Sequence, residues 1–267
     1  MKAWECCGLI LFCIQIMPNC IQTIQALKYC SGEVCIPSNY NRLQMPLTND
    51  TNNVTVAFNG LQILKVDDYD CQIHLTFELA LKWMEPRIIG PFRVPNHILL
   101  DESYLKQLWL PDLYIHNVKN IKKHSLLNDF ENLSYIGNNT LLYFVQLEVS
   151  IFCPMTFEAY PLDDHVCHLI LGSFKYDASV INFVFEHLDF EDVFAKVSNL
   201  DYETTITPIT RHQHNRFYSK RLFLSRAGFN IRLERNVRKY MLNYYLPSGI
   251  LVTISWVSMV KLIWNWK

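Results

Sequence analysis

The chain has 267 residues, with 24 Lys and Arg against 25 Asp and Glu, and half of it is apolar while only 18% is charged. A chain this apolar buries a full core, which excludes disorder, and a net charge of −1 argues against nucleic acid as a partner. Its eight glycines leave no glycine-rich phosphate cradle, no H-E-x-x-H, G-x-S-x-G or P-loop pattern points to an enzyme, and no catalytic residue or cofactor is implied.

Residues 6–17 form an uncharged apolar run behind Lys2, the size of a signal-peptide core and too short to span a bilayer. The expectation is a signal peptide over 1–26, cut after Ala26; the alternative is a buried N-terminal helix. Cys6, Cys7, Cys13 and Cys20 would leave with it. Of the remaining cysteines, Cys30 and Cys35, and likewise Cys153 and Cys167, are close enough in sequence to close short loops. Cys71 is left over, either buried as a small hydrophobe or free. Sequons at Asn49, Asn53, Asn132 and Asn138 fit an exported, glycosylated surface in an oxidising compartment.

The middle of the chain is patterned as strands. Gln72–Trp83 places Ile73, Leu75, Phe77, Leu79, Leu81 and Trp83 on one face and polar residues on the other, a period of two that a helix cannot keep on one side. The pattern returns at Tyr143–Ile151, Ile181–Phe185 and Phe229–Leu233, with turn-rich stretches such as IGNNT between them. No helix-period segment of comparable strength lies between residues 60 and 239. A mainly β chain with turn signals between short strands predicts a β-sandwich of roughly 200 residues.

Tyr240–Val260 then runs without a charge between Arg235, Arg238 and Lys239 on one side and Lys261 on the other. At about 1.5 Å per residue that length matches the ~30 Å hydrocarbon core. The expectation is one membrane helix over 240–263, with residues 27–239 outside; a core helix of a soluble domain is the alternative.

Four segments together resemble the Cys-loop receptors, the pentameric ligand-gated ion channels. Cys153-PMTFEAYPLDDHV-Cys167 is similar to the family's signature loop, with Tyr160, Pro161 and Asp163 at its aromatic-Pro-x-Asp core. Trp83-x-Glu-x-Arg87 resembles the Trp-x-Asp-x-Arg segment, with Glu85 in place of Asp. Trp109-Leu-Pro-Asp112, followed by Tyr114 and Asn117, resembles the Trp-x-Pro-Asp strand, and Arg235 with YYLPSGILVTISWVS resembles the run into the first membrane helix. Pro154-Met155 points to the anion-channel branch.

The resemblance implies an extracellular sandwich of about ten strands followed by membrane helices. It also implies a plasma-membrane location, assembly with other subunits into a pentamer, and a small-molecule or ionic agonist bound between neighbours. The signature loop would press on the membrane linkers, with Asp163 pairing to a base such as Arg235; closing its disulfide is worth ~3 kcal/mol. Tyr114, Phe174, Tyr176, His212, His214, Phe217 and Tyr218 are the expected ligand contacts, and Tyr160, Pro161, Asp163 and Arg235 the expected coupling residues.

Three departures qualify that expectation. The chain ends where the family continues into a pore-lining helix, so the expectation is a truncated subunit, non-conducting unless assembled with fuller ones; the alternative is a tethered or secreted binding protein that regulates without channel activity. Ala80 and Gln146 stand where amino-acid-gated members carry arginine, which argues against GABA or glycine. Arg211–Arg221 is a basic loop whose His212-x-His214 pair could sense protons or meet Zn²⁺, although two ligands alone do not make a metal site.

Overall fold

The computed structural model describes residues 27–46, 51–125, 130–186, 201–209 and 224–265. The expected signal segment over 1–26 lies outside the described residues. Strands β1 (Leu27–Ser31) and β2 (Val34–Pro37) form a hairpin closed by the Cys30–Cys35 disulfide. Then follow β3 (Asn52–Asp67), β4 (Gln72–Met84), β5 (Ile98–Leu100), a short helix α1 (Glu102–Gln107), β6 (Tyr114–Ile115) and β7 (Val118–Lys123). The sandwich is completed by β8 (Glu131–Tyr135), β9 (Thr140–Phe152), β10 (Asp164–Gly172), β11 (Ile181–Phe185), β12 (Tyr202–Ile209) and β13 (Arg226–Arg235).

Two sheets carry the architecture. One runs β11-β3-β4-β9-β8-β5, with β7 also paired to β9; the other runs β12-β13-β10-β6. In β4 the side chains of Ile73, Leu75, Phe77, Leu79, Leu81 and Trp83 are all buried, as period-two alternation requires. They face a single core that also takes Leu169, Leu171, Phe229, Ile231 and Leu233 from the second sheet. Phe58 of β3 meets Phe77 and Phe229 edge-on, at 5.3 and 5.0 Å between ring centres, so one aromatic cluster joins the two layers.

The strand count exceeds the expected ten because the connecting segments pair briefly with the sheets; β5 and β6 are only three and two residues long. Such short pairings leave no readable period. Helix α1 went unread for the same reason: six residues do not complete two turns. The close approach of β10 to β13 depends on Gly228, where a Cβ would stand 2.0 Å from the Leu169 carbonyl.

After β13 the chain turns helical, as α2 (Val237–Tyr240), a π-turn segment (Met241–Tyr245) and α3 (Leu246–Asn265). Large apolar side chains of α3 stand bare, Trp256 at 72% and Leu251 at 68% exposure. The hydroxyls of Ser248, Thr253 and Ser258 donate back to carbonyls three or four residues earlier, which satisfies them within the helix. Even so, among the described residues no helix is long and apolar enough to cross a membrane. The uncharged run is divided by the π-turn segment, and α3 itself includes Pro247, Ser248, Gly249, Thr253, Ser258 and Lys261.

Candidate functional site: two half-sites and a junction

The first half-site is built on Asp112. Its carboxylate oxygen Oδ2 accepts from the Ser173 hydroxyl at 2.9 Å and from the backbone N–H groups of Phe174 and Lys175 at 2.8 Å each. Three donors converging on one oxygen lock the GSFKYD turn against the Trp109-Leu-Pro-Asp112 segment. Ser173 in turn accepts from the Tyr176 N–H. The outcome is an exposed aromatic pair, Tyr114 and Phe174, with ring centres 5.9 Å apart, while Tyr176 packs against the core. His116 meets Tyr114 edge-on at 4.9 Å, and burial, with a smaller push from the Arg226 charge, lowers its pKa below the ordinary histidine value. His212, His214, Phe217 and Tyr218 lie outside the described residues.

The second half-site is on the other sheet. The outer faces of β4 and β9 run opposite one another, with Ala80 against Phe144 and Glu78 against Gln146. Glu78, Phe144 and Gln146, together with His124, Phe130, Glu131 and Asn132, line an open groove of about 660 Å³. Glu78 accepts from Asn59 at 2.9 Å. Burial would raise the Glu131 carboxyl, but bonds from Lys123 at 2.7 Å and Tyr143 at 2.8 Å hold it below the usual range. Among the described residues no arginine lines this groove, and none of its lining residues belongs to the Tyr114–Phe174 pair.

The other tryptophan motifs converge on a structural centre. Glu85 is fully buried; Arg87 grips it through Nε and Nη2 at 2.6 Å each, and Tyr40 donates to it at 2.9 Å. The Tyr40 oxygen accepts from the Trp109 N–H at 2.9 Å. Tyr40, which carried no signal in the sequence, therefore joins Trp83-x-Glu-x-Arg87 to the segment that presents Tyr114.

The third feature is the junction between sandwich and helix. The Cys153–Cys167 disulfide closes the loop that carries Tyr160, Pro161 and Asp163, and the Tyr160-Pro161 peptide is cis. Arg235, at the end of β13, grips Asp163 in a bidentate pair at 2.8 and 2.9 Å. It also donates to Asp68 at 2.9 Å, to Tyr240 at 3.1 Å and to the Tyr202 hydroxyl. Its guanidinium lies 4.9 Å from the centre of the Tyr160 ring. Burial would raise the Asp163 carboxyl; the Arg235 bonds outweigh it, holding the carboxyl below its usual range. Burial acts against the Arg235 charge as well, yet its bonds to Asp163, Tyr240 and Asp68 raise the guanidinium pKa further. His165, 3% exposed, contacts the same Asp163 at 2.7 Å, whereas His168 on the opposite face of β10 meets Asn230.

Residues 35–237 match the neurotransmitter-gated ion-channel ligand binding domain. The chain belongs to that family. It is similar to the gamma-aminobutyric acid receptor subunit pi of Rattus norvegicus, 27% identical over 232 residues, covering 84% of this chain and 50% of that protein. The subunit pi of Bos taurus is 26% identical over 229 residues, with the same coverage. Similarity to the pH-sensitive chloride channel 2 of Drosophila melanogaster is 27% over 238 residues, covering 83% of this chain and 45% of that one. These relatives are receptor and channel proteins rather than enzymes, and the chain spans about half the length of the curated relatives it matches.

Within this ligand binding domain the four expected coupling residues are gathered at one junction. Tyr240, the first residue of the uncharged run, and His165 join them, as do Asp68 and Tyr202, which no local pattern marks because they meet the others only across separate segments. Among the sequons, Asn138 is exposed at a turn with positive φ, Asn53 is exposed on β3, and Asn132 lies half-buried on the groove wall. Asn49 lies outside the described residues. Cys71 is a half-buried free thiol. Among the described residues no group of His, Cys, Asp and Glu is arranged to hold a metal ion.

Proposed function

We propose that this chain is the ligand-binding part of a ligand-gated anion channel subunit, carried at the plasma membrane with the sandwich outside and assembled with other subunits. The observation that carries the reading is the Arg235 junction. It ties the disulfide loop, the β3–β4 turn and β12 to the first helical turn, so a shift within the sandwich has a rigid path to the helix. The half-sites support it too: one sheet presents Tyr114 and Phe174, the other the Glu78–Gln146 groove, and a neighbouring subunit would bring the two together. The bare apolar face of α3 fits a helix covered by lipid and neighbouring helices. Absence of arginine from the groove favours an agonist other than GABA or glycine, because a carboxylate would find no guanidinium there.

Ligand binding to the assembled receptor tests this. Among GABA, glycine, histamine and tyramine, an amine without a carboxylate should compete for binding, and Phe174→Ala should weaken it at least tenfold. Competition by GABA at micromolar concentration, unaffected by Phe174→Ala, would overturn the reading.

A second reading, a receptor gated or modulated by protons, is favoured by one contact: His165 sits against the Asp163 carboxylate that Arg235 grips. The name of the Drosophila relative points the same way. Currents recorded across pH 5–8 should change in His165→Gln; if neither that variant nor the His212→Ala/His214→Ala pair alters the pH response, proton gating fails.

A further inference from the structure

The hairpin turn between β8 and β9 carries the sequon Asn138-Asn139-Thr140. It is closed by bonds from the Thr140 N–H to the Gly137 carbonyl at 3.0 Å and from the Ile136 N–H to the Thr140 carbonyl at 3.1 Å. Both asparagines have positive φ, 47° and 52°, which asparagine tolerates better than most residues. The turn uses them differently. Asn139 is tied inward: its N–H donates to the Tyr135 hydroxyl at 3.1 Å, its side chain accepts from Tyr135 at 3.3 Å, and its carbonyl accepts from the Glu85 N–H at 2.7 Å. Asn138 is exposed, and among the described residues no hydrogen bond holds its side-chain amide. The Thr140 hydroxyl donates to the Asn138 carbonyl at 3.2 Å, beside the asparagine it follows.

The two other described sequons are less open. The Asn53 side chain already accepts from Asn182 at 3.1 Å, and Ser134, the hydroxyl residue of the Asn132 sequon, is 1% exposed. Apolar surface also borders the Asn138 turn. Phe92 is 70% exposed, and its carbonyl accepts from the Asn138 N–H at 2.9 Å, so the two residues lie side by side. Met84, exposed as well, stands opposite Thr140 in the β4–β9 register.

We propose that Asn138 carries an N-linked glycan whose first N-acetylglucosamine packs on Phe92. In the modification Nδ2 bonds to the anomeric carbon of the sugar and the amide gives up one proton. The sugar–phosphate bond of a lipid pyrophosphate donor breaks, and the pyrophosphate leaves with the bonding pair. A pyranose presents C–H groups on one face, which pack on an aromatic ring as other apolar surface does. The sugar takes Phe92 out of water and braces the turn from outside, where Asn139 already ties it to Glu85. Export alone suffices for this; neither agonist binding nor conduction is needed.

The full chain, produced in a secretory cell line, tests the proposal. Peptide N-glycosidase in heavy-oxygen water converts each asparagine that carried a glycan into a labelled aspartate. Asn138 should be labelled in most of the protein, and Thr140→Val should abolish that label. Asn138→Asp keeps a residue that suits positive φ and removes the glycan. It should lower the melting temperature of the glycosylated chain by about 2–4 °C, and in a Phe92→Ser background the same change should cost nothing. Asn138 recovered unlabelled while another sequon is labelled would overturn the proposal, since the chain had then been exported. A chain labelled at no sequon would overturn it together with the extracellular placement. Absence of a melting loss in Asn138→Asp, or a loss that survives Phe92→Ser, would overturn the packing on Phe92.

Discussion

Asp163 and His116 show how single side chains set the pH response. The folded Asp163 carboxyl is held below its ordinary value of 3.8, so its contribution is fully present above that value. It is lost as pH falls through the lower folded value. Asp163→Asn should therefore be less stable than the parent at pH 7 and should lose little more below pH 4, as followed by thermal unfolding across pH. His116 works in the opposite sense: a depressed imidazole binds fewer protons folded than unfolded. Stability then falls as pH drops below 6.5, the ordinary value, until the folded form protonates too. His116→Gln should flatten that part of the profile, and an unchanged slope would show that another group is responsible.

Among the elements, the strands with unbroken alternation were legible and the connections were not. β4 and β11 appear within a residue of their expected bounds, because half-buried strands in a sandwich write their burial into the sequence. β6 and α1 are too short to carry a period, and the latch of Asp112 on the Phe174 turn spans about sixty residues of chain. The motif that contains Asp112 was visible; the three donors that meet it were not. The tie between elements through Glu85 has a calculable weight. Removing one partner of a buried, hydrogen-bonded ion pair costs about 3–5 kcal/mol. Glu85→Ala should lose stability of that order in chemical denaturation and should also loosen the Tyr114 segment through Tyr40. A loss below ~1 kcal/mol would mean that water replaces Glu85 freely.

At the scale of the whole molecule, the proposed reading gives one chain two candidate half-sites that it does not itself join. Tyr114 and Phe174 project from the smaller sheet, whereas Glu78 and Gln146 lie on the outer face of the larger one, and the proposed side-by-side assembly of subunits would bring such faces together.

The most direct test of this account is crosslinking between the two faces. Phe174→Cys and Gln146→Cys, introduced together in a Cys71→Ser background, are treated with a short bis-maleimide on chains displayed at a cell surface. Side-by-side assembly through these faces predicts a ladder of covalent species from dimer to pentamer that appears only when both cysteines are present. Monomers alone, with each cysteine still reactive toward a single maleimide, would contradict it.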